Sequence, residues 1–356
     1  MTTARASRAG RLARWARFGV VPVAALTVVL ATSPGSATSQ DPRRGTFAFV
    51  TQGNNVAVVQ AERRSLDLDA RIHLQEESSA IGVAASPNGK LVYVPDFAKS
   101  VVHVFKTSND TPVATIRLAP GTTPVGIAVS RDGKYAYTAN STNNSVSVLD
   151  LRTNTREGDD IPVGTSPRGV SVSADGKRVY AANDQSGSVS VIDPKERKVK
   201  TIEIGDPEDP DRFPRPRAVA LWDARHIGFV TNNGRPSAGG SSVSVIDTKT
   251  NTVKTVIHGL ANPVGVAFSS RHNLVYTANN GDTTVGVIDA ETNRVTDAID
   301  IGCSPIGVSL SPDQKRLFAT CAGAGTFTMI DTRSHRVLSS LAVGVPASQS
   351  VVVDVP

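Results

Sequence analysis

The sequence predicts an all-β fold, a seven-bladed propeller with four antiparallel strands per blade, and three observations carry that prediction. A phrase of roughly 40 to 50 residues recurs six times between about Ile81 and Pro346. Within it, apolar side chains alternate with small polar ones at period two, the spacing of strands. The two ends of the chain each hold part of one further unit. Strand-only repeats of this length are propeller blades.

The units begin near Ile81, Pro124, Pro167, Pro216, Pro263 and Pro305. The first strand of each follows Pro-X-Gly-Val-Ala-Val-Ser or a variant, as in residues 124–130 and 263–269. A hairpin turn comes next. Asn88-Gly89, Asp132-Gly133 and Asp175-Gly176 supply the positive φ that tight turns need, whereas residues 223–226 and 270–273 lack the glycine and leave their turns less defined. The second strand closes on Tyr-X-X-Asn, at Tyr137 to Asn140, Tyr180 to Asn183 and Tyr276 to Asn279. Asn140, Asn183, Asn232 and Asn279, with Gln52 and Asp96 in related places, read as turn residues, because Asn readily visits the left-handed region. In the third strand, Val146 and Val148 fall on one face and Ser145 and Ser147 on the other. Asp150, Asp193, Asp247, Asp289 and Asp331 end this strand, where a short carboxylate is expected to accept backbone N–H groups of the following turn. A fourth strand of the form Val-X-Thr-X-Ile completes the unit.

The chain ends set the blade count. Residues 45–74 match strands two, three and four, as segments 46–52, 55–59 and 70–74, with no strand one before them. After Pro346, residues 347–355 form a lone strand-one phrase. Pairing the two hides the seam of the ring and adds one shared blade, numbered blade 1 here, to six whole ones. Continuous repeats leave no linker, so residues 45–356 are expected to be one domain.

Ahead of it stands a leader. Residues 1–18 carry Arg5, Arg8, Arg11, Arg14 and Arg17 and no acid, an apolar run follows from Val20 to Ala31, and Gly35-Ser36-Ala37 comes after. This is the pattern of a secretory signal peptide over residues 1–37, with a short arm at 38–44. The run is shorter than the ~20 residues a membrane-spanning helix needs, so no transmembrane span is expected in the mature chain and its place is outside the cytoplasm. The whole sequence has 38 basic and 32 acidic residues; without the leader's five arginines the charges almost balance. Broad attraction to nucleic acid or to an anionic membrane is therefore not implied. The only cysteines, Cys303 and Cys321, precede strand one and end strand two of one unit. Antiparallel pairing brings these positions to one edge, and a disulfide is expected in an oxidising compartment, two buried thiols being the alternative.

The phrases Tyr-Val/Thr-X-Asn, Ser-Pro-Asp/Asn-Gly-Lys and Ser-Val-Ser-Val-Ile-Asp-Thr resemble the YVTN family of β-propeller repeats, found in exported bacterial and archaeal surface or periplasmic proteins. The resemblance covers essentially all of residues 45–356. It implies an architecture similar to the lactonase-like seven-bladed propellers, and it implies no particular reaction.

Motifs of catalysis are missing. The sequence holds no Gly-X-Ser-X-Gly elbow, no His-Glu-X-X-His, no Cys-X-X-Cys-His and no glycine-rich nucleotide loop, and its six histidines are scattered over different units. No catalytic residue is assigned and no cofactor predicted. A divalent metal is conceivable only at Asp96, Asp184 and Asp282, three carboxylates in loops on the Asn-bearing face. Two insertions break the repeat on that face, at residues 205–217 and 233–241, and insertions gathered on one face of a repeat protein mark binding surfaces. The candidate ligand-binding residues are Arg168, Asp206, Glu208, Asp209, Asp211, Phe213, Arg215, Arg217, Asn232 and Arg235. The leading expectation is a noncatalytic extracytoplasmic binding or scaffold protein that holds a polar ligand, a peptide, a glycan or a cell-surface component over blade 5. The alternatives are a metal-dependent lactonase, hydrolase or lyase at the channel mouth and, last, a single-stranded nucleic-acid binder. The last would need a basic groove with stacking aromatics, and aromatics make up only 5% of the chain.

Overall fold

The computed structural model describes residues 43–204, 214–234 and 241–356. The expected leader and most of the arm lie outside the described residues, as do Asp206, Glu208, Asp209, Asp211, Phe213 and Arg235. The described chain forms seven antiparallel sheets, each wound so that sequence neighbours are also spatial neighbours. Blade 4 shows the plan: Pro167–Val172, Val179–Asn183, Ser188–Asp193 and Lys198–Glu203 run in order from first strand to fourth. Blade 5 repeats it with Pro216–Trp222, Ile227–Asn233, Ser241–Asp247 and Thr252–Ile257. Blade 3 departs at its outer edge. There the fourth strand is two short pieces, Thr155–Arg156 and Ile161–Pro162, split around Gly158, whose φ is 63°.

Blade 1 is assembled from both termini. Ser350–Val355 pairs antiparallel with Gly45–Gln52, from Gly45 opposite Val355 to Val50 opposite Ser350. The fourth strand of this blade is Leu66–His73, longer than the 70–74 expected, because pairing with Asn55–Ala61 continues past a bulge at Val58 and Val59. Seven apolar clusters hold the ring, and each joins two successive blades. Phe47, Phe49, Val92 and Phe105 fill the space between blades 1 and 2. Ala48, Val50, Phe318, Phe327 and Met329 fill that between blades 7 and 1.

The turns follow the repeat. Gly89, Gly133 and Gly176 have φ near 70°, and in the two turns without glycine His226 and Asn273 take the left-handed conformation instead, at 55° and 54°. The aspartates that end strand three cap the next turn: Asp247 Oδ1 accepts the N–H groups of Lys249 at 2.8 Å and Thr250 at 2.9 Å, and Asp289 and Asp331 do the same.

The asparagines that end strand two have a different role from the turn residues expected. None of the four is left-handed, and all are buried. Asn140 Nδ2 donates to Ser145 and Ser147 at 3.1 and 2.8 Å. Asn183 donates likewise to Ser188 and Ser190, and Asn232 to Ser242 and Ser244. The alternating serines of strand three therefore exist to receive this amide, which staples the two central strands. Where a blade lacks Asn, another chemistry stands in. Gln52 reaches the Gly344 carbonyl at 2.9 Å, Asp96 faces His103 at 3.3 Å, and Cys321 is bonded to Cys303 with the Cα atoms 6.1 Å apart.

Candidate binding site at the channel mouth

The first strands line a central channel with a cavity of about 450 Å³. Glycine sets its width. A Cβ added at Gly82, Gly126 or Gly169 would lie 2.4, 2.3 or 2.5 Å from the carbonyl oxygen of Val125, Arg168 or Arg217 in the next blade. Only a residue without Cβ lets successive inner strands approach this closely. That is the reason for the Pro-X-Gly phrase.

At the second position of the Pro-X-Gly phrase, which reads Ala80-Ile81-Gly82 in blade 2 and Pro216-Arg217-Ala218 in blade 5, stand Ile81, Val125, Val264 or Ile306 in blades 2, 3, 6 and 7, but Arg168 in blade 4 and Arg217 in blade 5. Strand one starts where strand two ends: Pro167 pairs with Asn183 and Pro216 with Asn232. The residues that follow those asparagines therefore share one end of the channel with the arginines. They are Asp184 in blade 4, Asn233 in blade 5 and Asn280 in blade 6. Asn233, Asn280 and Gln349 line the cavity beside Arg168 and Arg217.

Asp184 is the centre of this arrangement. Its side chain is fully buried, and Arg215 grips it with both prongs, Nε to Oδ1 at 2.9 Å and Nη2 to Oδ2 at 3.0 Å. Arg168 Nε and Arg217 Nη1 lie 3.5 and 3.7 Å from Oδ2. Burial pushes the Arg217 guanidinium below its ordinary pKa; Asp184 opposes this, and the positive charges of Arg168 and Arg215 add to it. Nε of Arg168 and Nε of Arg217 are buried and lack a hydrogen-bond acceptor among the described residues. Such an arrangement can fix an anion through charge-assisted, planar hydrogen bonds.

The expected site residues divide accordingly. Arg168, Arg215 and Arg217 come together, while Asn232 is sealed inside blade 5 by its two serines. The three carboxylates considered for a metal are not brought together. Asp184 sits among guanidiniums, which repel a cation. Asp96 accepts the backbone N–H groups of Ser79 and Ala98 at 2.9 and 3.0 Å besides facing His103. Asp282 caps its own loop through Thr284. Among the described residues no group of three or more His, Cys, Asp or Glu side chains could hold a metal ion. The role of Asp184 as anchor, and the lining residues Asn233, Asn280 and Gln349, escaped the sequence reading. Comparing the residue after proline and the residue after Asn from blade to blade would have found the polar arc.

Fold, repeat and channel together define a seven-bladed propeller of the YVTN/lactonase kind. Residues 50–159 and 121–221 match the family described as Lactonase, 7-bladed beta-propeller, and the chain is a lactonase-like propeller in that sense. No curated protein matches it. Among solved structures it is similar to a functionally unknown protein from Desulfotomaculum acetoxidans, at 14% identity and TM-score 0.69 over 86% of this chain and 98% of that one. It is similar to Kuenenia stuttgartiensis hydrazine synthase at 18% identity and TM-score 0.67, covering 76% and 88%. Virginiamycin B lyase from Staphylococcus aureus follows at 13% and 0.63, covering 75% and 85%. At these identities the likeness is one of fold.

Proposed function

We propose that the protein is an extracytoplasmic ligand-binding propeller that holds a small anion at its channel mouth. The observation that carries this reading is the gathering of Arg168, Arg215 and Arg217 on one buried carboxylate at the cavity opening. Asp184 alone cannot neutralise three guanidiniums, and the Nε–H groups of Arg168 and Arg217, which have no hydrogen-bond acceptor among the described residues, suit a planar carboxylate or a phosphate. On this reading Asp206, Glu208, Asp209, Asp211 and Phe213, which precede Arg215 and Arg217 in sequence, and Arg235, two residues after Asn233, stay in the proposed ligand-binding set by sequence alone. Calorimetric titration of acetate, phosphate and sulfate tests it. Binding that is lost in Arg168→Gln/Arg217→Gln is expected; binding equal in both proteins would remove the site.

The leader-like residues 1–37 and the Cys303–Cys321 bond support a place outside the cytoplasm. Sequencing the N-terminus of secreted protein is expected to find Thr38 or a close neighbour, and retention of Met1 would contradict the assignment.

A second reading, hydrolysis of a lactone, is favoured by the family match. In it the arginines hold the carboxylate released when water opens the ring. Acid release from a panel of lactones, followed at constant pH, separates the two: turnover abolished in Arg217→Gln supports the enzyme, and none by the unaltered protein leaves binding alone.

A further inference from the structure

We propose that the channel takes an aliphatic monocarboxylate of medium chain length, its carboxylate against Arg168 and Arg217 and its hydrocarbon chain directed along the channel. This rests on the anion-binding reading above and adds the rest of the ligand.

The lining changes character below the arginines. Two residues further along the first strands of blades 2 to 7, past a bulge in the pairing with strand two in blades 3 to 6, stand Val83, Ile127, Val170, Val219, Val266 and Val308 on the cavity wall; blade 1 has Ser350 there, its hydroxyl bonded to that of Ser309. All six are branched aliphatics. At the level of the arginines blades 2, 3, 6 and 7 present Ile81, Val125, Val264 and Ile306, and blade 1 adds the polar Gln349 close by. Among the described residues, apart from the two arginines, Asn233, Asn280 and Gln349, the only polar side chain on the cavity wall is Ser171, and its hydroxyl is already donated to the Val219 carbonyl. A sugar phosphate or a polyacid would carry further hydroxyls or charges past the mouth, where the side chains of blades 2 to 7 are branched aliphatics, and each polar group left unpaired there costs ~1–3 kcal/mol. A hydrocarbon chain meets no such cost. Pockets of this composition, mostly apolar with a few convergent polar groups, orient a ligand by its head and hold it by its body.

Charge and size narrow the class. Arg215 is occupied by Asp184 in bidentate fashion, which leaves Arg168 and Arg217 as the two charged donors among the described residues of the cavity wall, enough for one carboxylate. A cavity of about 450 Å³, at the ~30 Å³ a water occupies in the liquid, holds about fifteen non-hydrogen atoms. That matches a chain of roughly eight to twelve carbons with its head group.

The test is calorimetric titration of the mature protein with acetate, hexanoate, octanoate and decanoate, with decylamine and inorganic phosphate as further probes. Affinity is expected to rise about fourfold for each methylene added, the factor for burying a CH2 group, and decylamine is expected not to bind. Arg168→Gln/Arg217→Gln is expected to lose all acids, and Val266→Thr, a half-buried position, to reduce the gain per methylene. If acetate and phosphate bind through the arginines but affinity is flat with chain length, the hydrocarbon part is wrong and the anion site stands. Equal binding of decylamine and decanoate would reduce the channel to a greasy surface and overturn the proposal. If no acid binds, this inference and the reading beneath it both fall.

Discussion

Asn140, Asp96 and Cys321 occupy one position in their respective blades, and small differences around that position decide how well it is satisfied. Asn140 Oδ1 accepts from Thr138 at 3.0 Å, and Asn279 Oδ1 from Thr277 at the same distance. In blades 4 and 5 the residue two places earlier is Ala181 or Val230, and there the Oδ1 atoms of Asn183 and Asn232 have no partner among the described residues. Thr138→Val, which keeps the volume and removes the hydroxyl, should therefore cost about 1–2 kcal/mol in denaturant unfolding. The Tyr-X-X-Asn phrase was legible in the sequence but its purpose was not, because the serines that receive the amide lie across a strand pairing. Asp96 gives a pH signature. Burial pushes its carboxyl up, but hydrogen bonds from His103 and from the backbone of Ser79 outweigh this and hold it well below its ordinary 3.8. A depressed carboxyl stabilises the fold fully above its ordinary value and loses that contribution as pH falls. The melting temperature should drop as pH is lowered below about 4, and less steeply in Asp96→Asn; parallel profiles would show that Asp96 contributes nothing. At the channel mouth, Asp184→Asn removes the carboxylate that three arginines share. Since they are a fifth to two-fifths exposed, the cost should be on the order of 2 kcal/mol, below the range for fully buried pairs.

At the scale of the element, the first strand does two jobs with adjacent residues. Gly169 lets blade 5 close on blade 4, and Arg168 and Arg217 meet at Asp184 because of that approach. A Cβ at 169 would lie 2.5 Å from the Arg217 oxygen and 2.8 Å from Ala218 Cα, both backbone atoms that cannot swing aside. Gly169→Ala should destabilise by about 1–3 kcal/mol through overpacking and weaken anion binding as well. Gly176→Ala, in a hairpin turn with nothing near its Cβ position, strains φ alone and should leave binding unchanged. Strand periodicity, the Asp-Gly turns and the capping aspartates were all readable from the sequence, since each depends on residues within one hairpin. The arginine cluster was half readable. Arg168, Arg215 and Arg217 stood out as departures from the repeat, but their common acceptor lies one residue past the Asn of a neighbouring strand, and only the closed ring brings it to them.

For the whole molecule, the seam is the sensitive point. Val353 and Val355 belong to the cluster between blades 1 and 2, and Val352 to that between blades 7 and 1, so deleting residues 350–356 opens two blade interfaces at once. The truncated protein should lose its cooperative melting transition or aggregate; an unchanged transition would mean that the terminal strand is dispensable. The ring was legible because its two ends carry complementary parts of one blade, a pattern independent of side-chain detail. The ligand was not, because the charges of residues 45–356 nearly balance and the site is local, three arginines on two blades. That locality is the central claim, and ligand-linked stability tests it most directly, since a ligand that binds the folded state alone raises the melting temperature. Melting of the unaltered protein and of Arg168→Gln/Arg217→Gln should be compared across a panel of carboxylates and phosphates at constant ionic strength. At least one acid is expected to raise the melting temperature of the unaltered protein and not of the double variant. Equal shifts in the two proteins, or none in either, would contradict it.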